Sequence, residues 1–397
     1  MNRVTIFLSI SHKAPNGLSS FVRSFVGHED FFKSDGIDLN VFSRDNYVHS
    51  DFSNKAALKK KAALKDRILK FIQFNSILAV VYDYLYESRG ARIAVRKYIE
   101  SGRKDDLIFC QEYQSAYYLQ KALPNQKIIL TIHSNGEEFS MHYASFPGLN
   151  SVLGRWYLNR RMNYLKKHLC GIGHVSCNSQ NVFSTRHPDY PKEKLYYVYN
   201  GIPELPLSHN KQIDDVIRFI CVGSLSDRKN QKTLIEAMTL LKPTLRDKMQ
   251  LILVGDGEVR TDLELLAKQN NLSNVIFMGS CTNVPELLKA ADVFILASKD
   301  EGLPISIIEA MREGLPIIGS RVAGIPEQII EGRSGYVIGT TASSVADAYA
   351  EMLSKTKDEL AVMGRESYNL FLEKFTEDSM FNKYMHVFTD AIQAENL

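Results

Sequence analysis

The sequence has few cysteines, and none of them is placed for a cross-link or a metal site. There are five in 397 residues, an odd number without a CxxC pair. Small disulfide scaffolds need paired cysteines and structural zinc sites need closely spaced ones, so both classes are excluded. The pattern predicts a protein of a reducing compartment. The five are Cys110, Cys170, Cys177, Cys221 and Cys281.

The sequence also lacks a segment typical of a secretory signal or a membrane span. The apolar run in "MNRVTIFLSISHKAP" is too short for a signal core with a cleavage site and is better explained as a first strand. The longest uncharged apolar stretch, "SILAVVYDYLY", is interrupted by Asp83 well short of the roughly 20 residues that a span needs. We therefore expect a cytoplasmic protein.

Three common signatures of catalysis are missing as well. The GxGxxG fingerprint of nicotinamide binding does not occur, no DxD pair of acids follows an apolar run, and no nucleophile–base arrangement can be recognised. The chemistry therefore has to be argued from other loops.

Short apolar runs alternate with longer stretches of helical spacing along the whole chain. Such alternation is typical of parallel sheets covered by helices on both faces, an α/β fold. The length is sufficient for two domains of this kind. The runs are "VTIFLSIS", "IDLNVFS", "DLIFC", "KIILTIHS", "GIGHVSCNS" and "KLYYVYNG" in the first half, and "VIRFICVGS", "MQLILVGDG", "NVIFMGS", "DVFILAS", "LPIIGS" and "GYVIG" in the second.

A polar stretch, "YNGIPELPLSHNKQIDD", separates the two halves and predicts a linker. We accordingly predict an N-terminal domain over residues 1–200, a C-terminal domain over residues 201–375, and a final helix over residues 376–397 that returns toward the first domain. Open parallel sheets bind ligands beyond the carboxyl ends of their strands. The cleft between two such domains is therefore the expected site.

The net charge of +3 conceals two halves of opposite sign. Residues 1–200 hold 28 Lys and Arg against 17 Asp and Glu, whereas the remainder holds 20 against 28. The basic half suits a membrane surface, a nucleic acid or an anionic substrate.

The densest group of candidate residues follows the run "DVFILAS". A Gly-Leu-Pro turn leads there into a helix predicted to begin near Ile305, with Pro304 in its first turn. The backbone amides of the turn converge on the helix N-terminus, which favours an anion. Glu301 precedes the helix and Glu309 lies just over one turn inside it, so both carboxylates can face one ligand. Taken alone, the pair is explained as well by a first-turn charge and a solvated helix residue.

This ordered series of loops resembles the signature region of family-4 retaining glycosyltransferases. Enzymes of that family have the GT-B fold, in which two Rossmann-like domains face each other across a cleft. The resemblance covers most of residues 195–340 and is weak over residues 1–195. It rests on Ser298, Glu301, Gly302, the "EAM" from Glu309, the "GLP" from Gly314 and the "GIPE" from Gly324.

The resemblance implies a role for each matching position of this region. The first glutamate of the family's pair lies beside the donor sugar and the second hydrogen-bonds the nucleotide ribose, which assigns these roles to Glu301 and Glu309. The amides of Gly302 and Leu303 would contact the sugar and the phosphates. Because "GLPI" stands where many members have Gly-Phe-Gly, the donor sugar is left open.

The loop "CVGSLSDRKNQKTLIEA" supplies the cations. Lys229 matches the family's lysine that pairs with the donor diphosphate and offsets the charge of the leaving group. Many members have an arginine directly after the glycine, where this chain has Ser224, and we expect Arg228 to compensate. The alternative for Lys229 is a solvated basic helix start, which the helix dipole disfavours.

Two positions of the first half match the family in part. Gly17, in "SHKAPNGLSSFV", stands at a predicted helix N-terminus, where the family approaches the donor phosphates with a glycine loop. His133 follows "KIILTI" at a strand end, where the family has a histidine that hydrogen-bonds the donor sugar; a structural histidine is the alternative. Glu137 and Glu138 either reach the acceptor or cap the next helix.

Two basic stretches of helical pattern favour contact with a membrane. Residues 55–72 place apolar side chains on one side and basic ones on the other, and residues 155–169 combine basic residues with Trp156 and Tyr157. Helices of this kind lie in the interface of anionic membranes. The alternative is a surface helix packed on its own domain. Nucleic acid is disfavoured, because no binding motif accompanies the charge.

The sequence thus predicts a retaining hexosyltransferase that moves a sugar from a UDP- or GDP-sugar to a glycan acceptor without a cofactor or a metal ion. The resemblance favours, as acceptor, a lipid-linked intermediate of surface polysaccharide synthesis at the inner face of the cell membrane. Two alternatives stay open: transfer to a soluble acceptor, and a non-catalytic subunit that binds nucleotide sugar.

Overall fold

The computed structural model describes residues 1–14, 17–47, 69–207 and 215–394. The chain divides into two compact units, of which the first comprises Met1–Val198 and Asn382–Leu397 and the second comprises Tyr199–Phe381. Most of the amphipathic helix predicted over residues 55–72 lies outside the described residues, although residues 69–74 are helical.

The first unit is built on one sheet of six parallel strands. Every residue of the third and fourth strands is buried, as expected where helices cover both faces of a parallel sheet. The strands are β1 (Asn2–Phe7), β2 (Ile37–Phe42), β3 (Leu107–Cys110), β4 (Ile128–Ile132), β5 (Gly171–His174) and β6 (Leu195–Tyr197), in the order β2-β1-β3-β4-β5-β6.

Helices fill the connections between these strands. They are α1 (Gly17–Arg23), α2 (Glu29–Lys33), α3 (Ser76–Tyr82), α4 (Arg89–Glu100), α5 (Tyr113–Ala122), α6 (Ser140–Ser145), α7 (Val152–His168) and α8 (Cys177–Arg186), with a π turn at Asp83–Glu87 and 3₁₀ turns at Arg44–Asn46, Pro147–Asn150 and Lys192–Lys194.

The second unit repeats the arrangement with six further parallel strands. These are β7 (Ile217–Val222), β8 (Met249–Val254), β9 (Val275–Gly279), β10 (Val293–Leu296), β11 (Ile317–Ser320) and β12 (Gly335–Ile338), in the order β12-β11-β10-β7-β8-β9. Its helices are α9 (Gln231–Leu240), α10 (Pro243–Arg246), α11 (Arg260–Gln269), α12 (Val284–Ala290), α13 (Ile305–Arg312), α14 (Ala342–Leu353) and α15 (Lys357–Lys374), with a 3₁₀ turn at Ile325–Gln328.

One helix belongs to both units. It is α16 (Glu377–Gln393), which begins in the second unit and ends in the first. Within the first unit its Tyr384 packs against Phe109 and Phe21, with ring centroids 5.0 and 5.9 Å apart, and its Phe388 packs 5.3 Å from Phe109.

Eleven of the twelve apolar runs that predicted strands contain a whole strand, and the first run overlaps β1, which begins two residues before it, so the α/β prediction is confirmed. Buried aliphatic and aromatic side chains of both strand faces form the cores, because the covering helices exclude water from each sheet. Among the described residues, no helix is both long and apolar enough to cross a membrane.

Candidate functional site

The candidate site of the second unit forms where two neighbouring strands end. β7 pairs in parallel with β10 on one side and with β8 on the other. The chain order reverses at this point, so the loops after β7 and β10 diverge and open a crevice at the carboxyl edge of the sheet. Residues 223–230 follow β7, and residues 297–304 follow β10.

Three of the predicted side chains meet at this edge. Lys229 Nζ lies 2.6 Å from Glu301 Oε1, and Arg228 Nη1 lies 3.2 Å from Glu301 Oε2. Glu301 and Lys229 are buried, so the alternative of a solvated lysine is wrong. Buried charges persist only when they are paired. Because two cations share this one carboxylate, the three side chains have an excess of positive charge. This excess favours the binding of an added anion.

Asn230 fixes the loop that carries Lys229. Its φ of 58° lies in the left-handed region, which asparagine tolerates better than most residues. Its Nδ2 donates to Ala297 O at 3.1 Å and to Thr340 O at 3.3 Å, and its Oδ1 accepts from Thr233 Oγ1 at 2.8 Å. These bonds tie the loop to the end of β10. Its only mark in the sequence is an asparagine between a strand end and a helix, which does not by itself predict a role.

The Gly-Leu-Pro turn presents backbone amides without acceptors. Within the described part of the chain, the amides of Gly302, Leu303, Ile305 and Ser306 donate to no other group. Gly302 and Leu303 are buried. Pro304 is the N-cap, one position earlier than predicted. Free amides at a helix N-terminus bind anions through hydrogen bonds and the helix dipole.

Glu309 lies in the second turn of α13 and is partly buried rather than solvated. Burial raises the pKa of its carboxyl group, against the opposing effect of the Arg312 charge. A partly buried carboxylate of this kind is stabilised by hydrogen bonds from neutral hydroxyl groups, such as those of a ribose diol.

Ser224 and Arg228 differ in how far they reach into the group. The Ser224 side chain is exposed, and its backbone oxygen accepts from Gln231 Nε2 at 2.9 Å. Arg228 contacts the same carboxylate as Lys229 and also donates to Asp300 O at 2.7 Å. The structure thus brings Arg228 and not Ser224 to the glutamate.

The predicted residues of the first unit form a group of their own. α1 begins at Gly17, as predicted. One turn later, the Phe21 ring lies 4.9 Å from the His133 ring. His133 Nε2 is 2.9 Å from Gln111 Oε1, and the Gln111 amide nitrogen faces Phe109 O at 3.5 Å. The glutamine oxygen therefore accepts from Nε2–H, which assigns the lone pair of the imidazole to Nδ1.

Burial lowers the pKa of His133 to about 4, so the imidazole is neutral near pH 7. Nδ1 has no partner among the residues that the structure describes. A neutral ring with a free acceptor nitrogen is suited to a hydroxyl group.

Glu137 and Glu138 do not cap the helix that follows them, so that alternative is wrong. No side chain caps α6. Glu138 pairs with His187, and its Oε2 lies 3.4 Å from Arg186 Nε, while Glu137 Oε1 lies 3.6 Å from Arg186 Nη1. Both carboxylates turn toward the C-terminal end of α8, where Arg186 provides a cation.

The basic run at residues 155–169 falls on α7 but does not lie wholly on the surface. Trp156 is 58% exposed, and the Arg160 guanidinium lies 5.6 Å from its ring centroid. Arg161 instead is buried, with Nη1 3.2 Å from Asp83 Oδ2. One face of α7, with Trp156 and Arg160, is therefore exposed, whereas Arg161 on another face is buried.

None of the five cysteines, all of which lie in the described residues, forms a disulfide bond. Across the described residues, no group of three or more His, Cys, Asp or Glu side chains is placed to hold a metal ion.

Known proteins are similar to this chain in sequence and in fold. The family model for glycosyl transferases group 1 matches residues 208–369. N-acetyl-alpha-D-glucosaminyl L-malate synthase of Bacillus anthracis is 35% identical over 324 residues, covering 79% of this chain and 80% of the relative. The UDP-Gal:alpha-D-GlcNAc-diphosphoundecaprenol alpha-1,3-galactosyltransferase of Escherichia coli is 28% identical over 179 residues, covering 44% and 46%. The structure of Anabaena HepE in complex with UDP-glucose superposes with a TM-score of 0.68 at 16% identity, over 97% of this chain and 99% of that one.

Two six-stranded parallel sheets, matched over their full length by solved enzymes of this class, define the GT-B glycosyltransferase fold. The chain belongs to the glycosyl transferases group 1 family. It is a glycosyltransferase that uses a nucleotide-sugar donor, with relatives in polysaccharide biosynthesis.

Proposed function

We propose that this enzyme is a retaining, metal-independent hexosyltransferase with a UDP- or GDP-sugar as donor. The observation that supports the proposal is the pairing of Glu301 with Lys229 and Arg228 beside a turn with free amides. In this assignment Lys229, Arg228 and the amides of Gly302 and Leu303 bind the diphosphate. Glu301 lies beside the sugar, and Glu309 binds the ribose.

The proposed chemistry uses the diphosphate as both leaving group and base. When the bond between the sugar C1 and the phosphate oxygen breaks, negative charge grows on the diphosphate, and the cations and amides stabilise it. The Glu301 carboxylate stabilises the positive charge on the sugar ring. The acceptor oxygen then bonds to C1 on the same face, while its proton passes to the departing phosphate oxygen. No protein base and no divalent metal ion take part in this scheme.

For the first unit, we propose that Gly17 and His133 bind the donor. The added Cβ of any larger residue at Gly17 would meet no atom within 4 Å, so the glycine is not required for internal packing. His133, neutral and with Nδ1 free, is proposed to accept a hydrogen bond from a hydroxyl of the donor sugar.

For the acceptor we propose a lipid-linked glycan, bound by an enzyme that touches an anionic membrane. The Escherichia coli relative is named for a diphosphoundecaprenol acceptor. α3 packs against α7, and the exposed side chains of this region combine apolar and basic groups, as an anionic interface requires. We call them the apolar-basic surface: Lys70, Phe71, Phe74, Ile77, Val152, Arg155, Trp156 and Arg160.

A soluble acceptor is the second candidate. The Bacillus anthracis relative, 80% of which this chain covers, is named for L-malate, a small dicarboxylate. This observation supports transfer to a free hydroxy acid without a membrane.

The donor assignment is tested first by thermal shift with UDP, GDP, ADP and the corresponding sugars. One nucleoside diphosphate should raise the melting temperature more than the others, because a ligand that binds the folded state more tightly stabilises it more. Glu301→Gln should then lower turnover by about 100-fold or more while it still binds that nucleotide. Glu236→Gln, which changes a carboxylate paired with Lys232 on α9, is the matched control. Absence of nucleotide binding would refute the proposal, and unchanged turnover in Glu301→Gln would support the non-catalytic alternative.

The anomeric configuration of the product, read by NMR, tests retention, and equal turnover in EDTA tests metal independence.

The acceptor is tested by offering L-malate and a polyprenyl-diphosphate-linked glycan in parallel. Co-sedimentation with phosphatidylglycerol vesicles at low salt should fall in Trp156→Ala and not in a surface control, Val362→Ala on α15. Lack of vesicle binding together with turnover of L-malate would reverse the choice of acceptor.

A further inference from the structure

Two side-chain amides donate hydrogen bonds to carbonyl oxygens of the Gly-Leu-Pro turn. Asn200 Nδ2 donates to Leu303 O at 3.1 Å, and Gln328 Nε2 donates to Pro304 O at 3.2 Å. The two amides come from segments that lie 128 positions apart in the chain. Since a carbonyl oxygen only accepts, the nitrogen of each amide must face it.

A third bond fixes the remaining carbonyl of the turn. Gly302 O accepts from the amide of Gly324 at 2.9 Å. In a trans peptide the carbonyl and the next N–H point in opposite directions. The bond to Gly302 O therefore directs the Leu303 amide, and the bond to Pro304 O directs the Ile305 amide, away from the supporting segments.

Packing alone does not explain the two side-chain amides. Asn200 is 6% exposed and Gln328 is fully buried. In the part of the chain that the structure describes, Asn200 Oδ1 and Gln328 Oε1 are buried without hydrogen-bond partners. A buried acceptor of this kind costs about 1–3 kcal/mol, whereas apolar side chains of the same shape would avoid that cost. The favourable contribution must therefore come from the N–H groups.

We propose that Asn200 and Gln328 are positioning residues that hold the Gly-Leu-Pro turn in place for the diphosphate before the donor binds. Gln328 orients the Ile305 amide through its bond to Pro304 O, whereas Asn200 fixes the Leu303–Pro304 peptide, which has no N–H, and so keeps the turn in position. Dipoles that are already oriented do not have to reorganise when charge develops. A second bond joins the two supporting segments, because Tyr199 Oη donates to Glu327 Oε2 at 2.7 Å. The proposal rests on the proposed donor assignment and deepens it.

The test compares two variants that keep shape but lose the donor, Asn200→Leu and Gln328→Met. The ligands are the nucleoside diphosphate that stabilises the wild type and its monophosphate, measured by calorimetry. Gln328→Met, which frees the peptide that carries the Ile305 amide, should lose about fivefold in affinity for the diphosphate, the value of one hydrogen bond, and less than twofold for the monophosphate. Asn200→Leu, which frees a peptide without an N–H, should show the same selectivity with a smaller loss for the diphosphate. The melting temperature should stay within a few degrees of the wild type, since the unpartnered oxygen is removed together with the donor.

Asn274→Leu is the matched control. Asn274 Nδ2 also holds two carbonyls, Arg246 O at 2.9 Å and Met249 O at 2.8 Å, but directly before β9 and hence at the opposite edge of the same sheet. Its variant should leave the ratio of the two affinities unchanged.

Equal losses for both ligands, no loss, or the same change in Asn274→Leu would overturn the inference. If both variants failed to fold, the claim that the amides are not needed for packing would be refuted; if one failed, the other decides. A wild type that binds no nucleoside diphosphate would instead refute the proposed function.

Discussion

At the scale of single residues, Asn230 is the most informative position outside the charged group. Asn230→Ala and Asn230→Gly both remove the hydrogen bonds to Ala297 O and Thr340 O. Because these bonds fix the loop that carries Lys229, the preceding residue, both variants should bind the nucleoside diphosphate more weakly. Alanine also has to adopt the left-handed conformation, which costs about 1–2 kcal/mol that glycine does not pay. Urea unfolding should therefore rank the alanine variant below the glycine variant, and equal stabilities would contradict this account.

The residues of the site differ in how far the sequence reveals them. Lys229 and Glu301 are predictable because a charged side chain at a fixed distance from a strand end leaves a pattern. Asn200 and Gln328 act on backbone carbonyls, which every residue has, so no pattern marks the contact. The sequence also does not show which residues a loop contacts in space, so it left Glu138 open between the acceptor and a helix cap and did not indicate Arg186 and His187.

At the scale of secondary-structure elements, a buried ion pair joins the π turn to α7. Asp83 Oδ2 accepts from Tyr157 Oη at 2.8 Å and pairs with Arg161. Arg161→Met leaves a buried carboxylate without its cation, which should cost about 3–5 kcal/mol. The double variant Asp83→Leu/Arg161→Met removes both charges and should be more stable than the single one. Urea unfolding of both variants measures this, and a double variant that is less stable than Arg161→Met would argue against a coupled pair.

The strands were predictable because burial on both faces imposes continuous apolar runs. The π turn was not, because in the sequence Asp83 only interrupts an apolar stretch. Its partner Arg161 is 78 residues away on α7. The same aspartate that argues against a membrane span therefore forms a buried ion pair in the fold.

At the scale of the whole molecule, buried histidines should make stability depend on pH. Burial lowers the pKa of His133 to about 4 and that of His174 to about 3, against about 6.5 in an unfolded chain. Below pH 6.5 the unfolded chain binds protons that the folded chain does not, so stability decreases as the pH falls toward 4. Each histidine contributes about 1.4 kcal/mol per pH unit in this range.

The measurement is urea unfolding between pH 7.5 and 5, followed by the fluorescence of Trp156, the single tryptophan. His174→Leu should flatten the decrease, because both ring nitrogens of His174 are buried without a partner in the described structure. His168→Gln, which changes an exposed histidine at the end of α7, should not. An unchanged slope in His174→Leu would contradict the assignment.

The helix α16, shared by both units, has a consequence for biosynthesis. A chain leaves the ribosome in order, so residues 1–198 emerge long before Tyr384 and Phe388, which cover the aromatic rings of Phe21 and Phe109. The second unit, Tyr199–Phe381, is contiguous and can complete its core during translation. The first unit has to keep an incomplete hydrophobic core until translation has passed the second. The nascent first unit is thus the segment most exposed to chaperones and to aggregation.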